Sequence, residues 1–121
     1  MKIDVMPSEI CDRWSILQIK KNNFLNVDAE MKTLEPQFEM VMEMNTSAKY
    51  YYHILEAINE ALWDIEDAKR KCEKDKDFGD HFIDLARSVY IINDERARIK
   101  RMIDKLVGSD YFEQKSHGDY L

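Results

Sequence analysis

The sequence predicts an all-α protein, a small helix bundle in which two long helices form an antiparallel hairpin covered by one or two N-terminal helices. Two observations indicate this class. Only three glycines and two prolines occur in 121 residues, which leaves few positions for the tight turns of a β fold. The chain is 45% hydrophobic, and its apolar residues recur at alternating intervals of three and four, which is the period of one helix face. We expect a single domain, residues 1–121.

The first helix is predicted from its N-terminal punctuation. Residues 2–5 alternate polar and apolar side chains and fit a short strand within residues 1–6. Pro7 and Ser8 then predict a helix start with Ser8 as the N-cap, and the helix is expected to run to about Lys21.

The second helix is expected to begin with Asp28 as its cap. Pro36 lacks a backbone donor, so either the helix kinks there or a new helix starts at Pro36. Polar residues from Asn45 to Ser47 offer caps, but no glycine or proline forces a stop. The second and third helices are therefore predicted to be nearly continuous.

The second half of the chain predicts the hairpin itself. A third helix over residues 48–74 is followed by a turn containing Gly79, and a fourth helix runs to Val107, each about 40 Å long. Gly108 suits the left-handed residue that ends a helix, which leaves residues 109–121 as a polar tail. The apolar seam consists of Tyr51, Leu55, Ile58, Leu62 and Ile65 on the third helix and Phe82, Leu85, Val89, Ile92, Ile99, Ile103 and Leu106 on the fourth.

The fourth helix carries a second arc of apolar or small residues beside its seam. A helix buried on two sides needs a second neighbour, and either the first helix or another copy of the chain would supply it. Three consecutive tyrosines on the third helix cannot all point inward, which also favours association. The arc consists of Ile83, Ala86, Tyr90 and Ala97, and the tyrosines are Tyr50, Tyr51 and Tyr52.

Arg96 interrupts the apolar seam of the fourth helix, and a charge at such a position needs a partner, access to water or a function. One interpretation is a structural pair with a carboxylate that fixes the helix register. A second is a pocket in which Arg96, with Arg87, binds a carboxylate or phosphate, and a third is extension of the side chain into solvent. Glu66 and Asp67 lie beside Trp63 and Ile65 on the third helix. They are the carboxylates expected to face Arg96.

Acidic residues recur at steps of four and three on the third helix and form a carboxylate stripe. Such stripes bind magnesium in helical nucleotide pyrophosphohydrolases. This stripe lies opposite the apolar seam, however, which indicates a solvent-exposed face. The stripe is Glu56, Glu60, Asp64 and Asp67, and the pairs Glu66–Arg70 and Asp67–Lys71 are expected to support the exposed interpretation.

The remaining reactive side chains do not form a recognisable catalytic set. Cys11 and Cys72 stand alone and are expected to be buried thiols in a reduced compartment. No histidine has the spacing from a glutamate that di-iron bundles use, and no glycine-rich phosphate loop occurs. We expect no catalytic residues, no metal and no cofactor.

The charge balance limits the class of partner. With 18 Lys and Arg against 24 Asp and Glu, the formal net charge of −6 disfavours nucleic acid and anionic membranes as partners. No stretch has the length and apolarity of a signal peptide or a membrane span, so a cytoplasmic location is expected.

Several segments resemble an uncharacterised family of small bacterial and phage proteins. They are SEICDRWSILQIK at 8–20, LWDIED at 62–67, LARSVYIINDERARIKRMIDKLVGS at 85–109 and EQKS at 113–116. The resemblance implies a compact all-helical unit and supplies no activity, because the family is a domain of unknown function. The chain departs from the family pattern at Pro7 and Ser8 and in the tail. The polar region around Arg96 and the resemblance together give the candidate binding residues Trp63, Glu66, Asp67, Arg87, Asn93, Asp94 and Arg96.

These observations favour a non-enzymatic helical interaction protein that acts as a homodimer or with a protein partner. The alternative is an enzyme or small-anion binder with a pocket at Arg96, for example a magnesium-dependent nucleotide pyrophosphohydrolase.

Overall fold

The computed structural model describes residues 5–119, with side chains described for residues 5–108. It contains four helices, α1 (Pro7–Asn22), α2 (Asp28–Met44), α3 (Thr46–Asp75) and α4 (Asp80–Asp119). No described residue lies in a strand, which confirms the all-α class. Of the predicted N-terminal strand, residues 1–4 lie outside the described part, and Val5 and Met6 have no regular secondary structure.

The N-terminus of α1 differs from its prediction, because a side chain of α4 accepts the hydrogen bonds there. Pro7 occupies the first turn and Met6, not Ser8, is the N-cap residue. The backbone N–H and the Oγ of Ser8 donate to the two carboxylate oxygens of Asp104 on α4, at 2.8 and 2.7 Å. A carboxylate at a helix N-terminus satisfies a free backbone donor and opposes the positive end of the helix dipole. The contact therefore ties α1 to α4.

Helix α2 is a single helix that continues through Pro36. The prediction of Asp28 as its cap was wrong by one residue, since Val27 is the N-cap and Asp28 is already helical. Only Asn45 separates α2 from α3, so the predicted near-continuity is confirmed. Asn45 is extended, with φ −157° and ψ 121°, and its side chain accepts a hydrogen bond of 2.8 Å from the N–H of Ser47.

Helices α3 and α4 form the predicted antiparallel hairpin, joined by residues 76–79. The turn begins at Lys76, which has a left-handed φ of 54°. The N–H of Asp77 bonds to the carbonyl of Cys72 at 2.8 Å, and that of Lys76 to the carbonyl of Glu73 at 3.2 Å. This is the Schellman pattern, in which glycine usually occupies the left-handed position. Here a lysine does so, and Gly79 has no positive φ.

The hydrophobic core occupies only one end of the hairpin. Helices α1 and α2 pack against α3 and α4 there. Trp14 stacks on Phe38 with ring centroids 5.2 Å apart, and Phe38 makes an edge contact with Tyr52 at 4.7 Å. The fully buried residues of α3 on this side end at Asn59, and those of α4 begin at Ile99. No residue in 60–71 or 80–98 is fully buried. We call residues 60–98 the hairpin arm.

The length of the helices explains why the hairpin arm is uncovered. Helix α1 has 16 residues and α2 has 17, or about 25 Å each, whereas α4 has 40 residues and is about 60 Å long. Two short helices therefore cannot cover the whole hairpin. No helix in the described part of the chain is long and apolar enough to cross a membrane.

Helix α4 does not end at Gly108, which contradicts the predicted C-terminus. The helix continues to Asp119, so most of the predicted tail is helical in its backbone. Gly108 has no positive φ and is buried next to Met6. The glycine thus accommodates a close approach of the N-terminal segment to α4 rather than a turn.

We predict that Gly108→Ala raises the free energy of unfolding by about 0.5–1 kcal/mol, because glycine is unfavourable inside a helix. An added Cβ would meet only the Cε of Met6, at an ordinary 4.0 Å. Urea denaturation measures the change. A loss of stability would instead indicate the left-handed helix end that the sequence suggested, since alanine is strained in that conformation.

Candidate functional site

Arg96 of α4 forms an ion pair with Asp12 of α1. Its Nε donates to Oδ1 of Asp12 at 3.0 Å, and one terminal nitrogen donates to Oδ2. Asp12 is only 3% exposed, while the side chain of Arg96 is 29% exposed. The hydrogen bonds to Asp12 raise the pKa of the guanidinium above its usual value, so Arg96 stays charged. The carboxylate partner expected for a charged seam residue is present, but α1 supplies it and not α3.

The same carboxylate organises a buried polar network with α3. Oδ1 of Asp12 also accepts a 2.9 Å hydrogen bond from the side-chain amide of Asn59, which donates to Oγ of Ser15 at 2.6 Å. Oγ of Ser15 donates to the backbone carbonyl of Asp12 at 2.8 Å. Asp12, Ser15 and Asn59 are all buried. Because the polar groups satisfy one another, their burial carries little of the usual cost of desolvation.

A second set of charges continues toward the N-terminus of α1. Nζ of Lys100 pairs with Glu9 and lies 3.8 Å from Oδ2 of Asp12. An open cleft of about 360 Å³ lies beside these groups, between α1 and α4. The cleft has two acidic and three basic side chains, and it is lined by Met6, Ser8, Glu9, Asn93, Arg96, Ala97, Lys100, Arg101 and Asp104.

A second cleft of about 360 Å³ lies where α1 ends against the hairpin arm. Arg96 borders it from α4, and Trp63 and Glu66 border it from α3. Arg96 therefore stands between two clefts, one polar and one mainly apolar.

The structure brings together four of the seven candidate binding residues. Asn93 joins Arg96 at the polar cleft, and Trp63 and Glu66 join it at the apolar cleft. Arg87 and Asp94 are exposed on α4 and line neither cleft, and Asp67 is exposed.

The carboxylate stripe faces solvent, as its position opposite the seam predicted. Glu60, Asp64 and Asp67 are exposed and Glu56 is half-buried. The expected ion pairs at a spacing of four were wrong, because the pairs that form have a spacing of three. They are Glu66 with Lys69, at 3.5 Å, and Asp67 with Arg70. Among the described residues, no group of three or more His, Cys, Asp or Glu side chains is placed to hold a metal ion.

The two thiols are unsuited to nucleophilic catalysis. Cys11 and Cys72 are buried and free. Burial, followed by the nearby charges of Asp104 and Asp12, raises the pKa of Cys11 to about 12. The thiol is therefore protonated at neutral pH, whereas a nucleophilic cysteine requires a lowered pKa.

Comparison with known protein families assigns the chain to one of them. The model of a family of unknown function (DUF6165) matches residues 1–120. The chain belongs to this family. The resemblance inferred from the sequence to a domain of unknown function is thereby confirmed. No curated protein and no solved structure matches the chain.

For this member of DUF6165, sequence reasoning missed Asp12, Ser15 and Asn59. A signal for the first two exists in α1, where Ser8, Asp12, Ser15 and Ile19 recur at steps of four, three and four. These residues form a second face, opposite Ile10, Trp14 and Leu17, and all seven are buried. A pattern based on apolar residues alone predicts that a helix face of small polar residues is exposed to solvent. Asn59 gave a weaker signal, as a polar residue next to the α3 seam.

We predict that Arg96→Met lowers the free energy of unfolding by about 3–5 kcal/mol, because it leaves the Asp12 carboxylate buried without its main partner. Asp12→Asn should lower the free energy of unfolding much less in the Arg96→Met variant than in the original protein. Urea denaturation of the two single variants and the double variant measures this coupling.

Arg98→Met is the matched control, since Arg98 pairs with Glu95 and both side chains are more than half exposed. It should change the free energy of unfolding far less than Arg96→Met does, because solvent screens an exposed ion pair. Equal losses for Arg96→Met and Arg98→Met would contradict a buried, energetically coupled network.

Proposed function

We propose that this protein is a non-enzymatic helical interaction protein that acts by self-association through the outer face of α4. The outer face comprises Ile83, Ala86, Tyr90 and Ala97, which are the second apolar arc that the sequence analysis identified. The proposal chooses another copy of the chain as the second neighbour of this arc, because α1 leaves all four of these residues exposed.

The observation that supports the proposal is the exposure of large apolar side chains on the hairpin arm. Ile83 is 49% exposed and Tyr90 is 69% exposed, and the neighbouring Ile91 is 55% exposed. Ala86 and Ala97 are exposed as well. Several large apolar side chains exposed on one helix are a feature of surfaces that contact another protein. Beyond the end of α1, the described part of the chain supplies no third helix to the arm, so a second molecule can supply the missing packing surface.

The alternative, a small-anion binder at Arg96, has weaker support. Two nitrogens of the guanidinium are already bonded to Asp12, and Lys100 is paired with Glu9. An anion entering the polar cleft would therefore compete with two carboxylates of the protein itself. The pyrophosphohydrolase version needs converging carboxylates, whereas the acidic stripe of α3 lies on the outside of the hairpin.

Sedimentation velocity between 1 and 100 µM tests the proposal. The original protein should sediment as a dimer at the upper concentrations. We expect Tyr90→Ser and Ile83→Ser each to weaken the association about tenfold, because a truncated side chain at the centre of a contact typically costs more than 1 kcal/mol. Both side chains are substantially exposed in the monomer, so circular dichroism and the urea midpoint should change little.

Tyr50→Ser is the matched control. Its side chain is 66% exposed, close to the 69% of Tyr90, but Tyr50 lies on α3 near the opposite end of the hairpin. It should leave the sedimentation unchanged. A protein that remains monomeric at 100 µM, or a dimer that only Tyr50→Ser weakens, would overturn the proposal.

A further inference from the structure

We infer that two copies of this chain pair antiparallel through the outer face of α4, with ion pairs from Asp80 to Arg101 of the partner subunit and from Arg87 to Asp94 of the partner subunit. This inference rests on the proposed self-association and specifies its geometry. It also gives a role to Arg87, Asn93 and Asp94, none of which takes part in the hydrogen bonds and ion pairs described for the buried network.

The outer face has the heptad spacing of a helix-pairing surface. Ile83, Tyr90 and Ala97 lie seven residues apart, and Ala86 and Asn93 follow the first two by three residues. This is the a and d pattern by which one helix lies along another. Together with the residues beside it, this pairing surface spans residues 80–101, which is about 33 Å of helix. The apolar seam of α4 is a separate pattern, on the helix that packs against α3.

The flank of this surface carries charges that alternate in sign at the same spacing. Asp80, Arg87, Asp94 and Arg101 lie seven residues apart and occupy the e position of successive heptads. All four are exposed. Among the described side chains none of the four forms an ion pair, in contrast to Arg96, Arg98 and Lys100 on the same helix. Seven residues correspond to about 10 Å along the helix, too far for these charges to pair within one chain.

An antiparallel two-fold arrangement pairs all four charges with opposite charges. In the register where Tyr90 packs on Asn93 of the partner subunit, Ala86 packs on Ala97 of the partner subunit. The e positions of antiparallel helices face each other, which brings Asp80 to Arg101 of the partner subunit and Arg87 to Asp94 of the partner subunit. Symmetry repeats each contact, so one interface contains four ion pairs.

A parallel arrangement loses this complementarity. In parallel pairs an e position faces the g position five residues earlier on the other helix. Those positions are Phe82, Val89 and Arg96, none of which is acidic. The pattern is therefore self-complementary only for antiparallel copies, which favours a second copy of this chain as the occupant. The alternation of charge also sets the register, since a shift of one heptad would oppose like charges.

Charge reversal tests the ion pairs. Arg87→Asp places two carboxylates together at each of two symmetric positions, and Asp94→Arg places two guanidiniums together. Each variant should dimerise at least about tenfold more weakly than the original protein in sedimentation at low salt. An equimolar mixture of the two variants should form a heterodimer, and the double variant Arg87→Asp/Asp94→Arg should regain homodimerisation.

Lys71→Asp and Asp64→Arg are the controls, because they make the same charge changes at exposed positions of α3. Both should dimerise as the original protein does. If Arg87→Asp and Asp94→Arg also dimerise normally, or if the double variant stays as weak as the single ones, the inference is overturned while self-association stands. If the original protein is monomeric, both the inference and the proposed function fall.

Disulfide cross-linking gives an independent test of orientation. A mixture of Ala86→Cys and Ala97→Cys should form a cross-linked heterodimer on oxidation, because these positions face each other in the antiparallel register. Ala86→Cys alone should not cross-link, since its two copies would lie about 16 Å apart along the helices, beyond the reach of a disulfide. Cross-linking of Ala86→Cys alone would indicate parallel helices and overturn the inference. The native Cys11 and Cys72 are buried and should not interfere.

Discussion

The carboxylate of Asp12 must be neutralised inside the core, and this requirement positions three of the four helices. Arg96 and Lys100 approach it from α4, and Asn59 approaches it from α3. An unpaired carboxylate in this position would be strongly unfavourable, so the helices must meet in one relative register. Apolar packing alone allows many similar registers, because leucine and isoleucine side chains can repack with small losses. The network around Asp12 therefore adds specificity to a core whose stability comes mainly from its apolar residues.

The network also limits how far the core extends. Asp12 lies near the start of α1, and the Asp104 contact with Ser8 holds the N-terminus of the helix against the later turns of α4. From that point α1 runs toward the hairpin turn but ends after 16 residues. The hairpin arm beyond it consists of two helices in contact with each other and with little else. Uncovered apolar surface is thus a consequence of where the network anchors a short helix on a long hairpin.

Much of the fold could be predicted from the sequence, because its strongest signals are local. The three-and-four spacing located the hairpin, and the polar residues around Asn45 marked a boundary between helices that lack a glycine or proline stop. The errors arose where a contact distant in sequence determines a local feature. Ser8 resembles an N-cap, but Asp104, 96 residues away, takes its donors. Gly108 resembles a helix end, but it lies inside a helix against Met6.

The candidate site shows the same division. The sequence indicated that Arg96 needed a carboxylate, but the neighbouring helix of the hairpin offered nearer candidates than Asp12. The apolar periodicity of α1 predicts one buried face, and it gives no signal for the second buried face, which carries Ser8, Asp12 and Ser15. Asn59 could not be distinguished from an exposed amide at the edge of a seam. A charged seam residue predicts that a partner exists, whereas the fold decides which helix supplies it.

The inward and outward faces of α4 are coupled through the rotation of the helix about its axis. Arg96 and Asp104 hold that rotation, since both must reach α1. A helix residue advances by about 100°, so fixing these two side chains also fixes the direction of every other residue on α4. Ile83, Tyr90 and the exposed charges Asp80, Arg87 and Asp94 then lie on a different face of α4 from the buried network, while Ala97 and Arg101 border the polar cleft beside α1. A mutation in the buried network should therefore also disturb the outer face, because it would release the rotation of the helix that presents that face. The buried polar network and the proposed association face therefore both depend on the rotation of α4 about its axis.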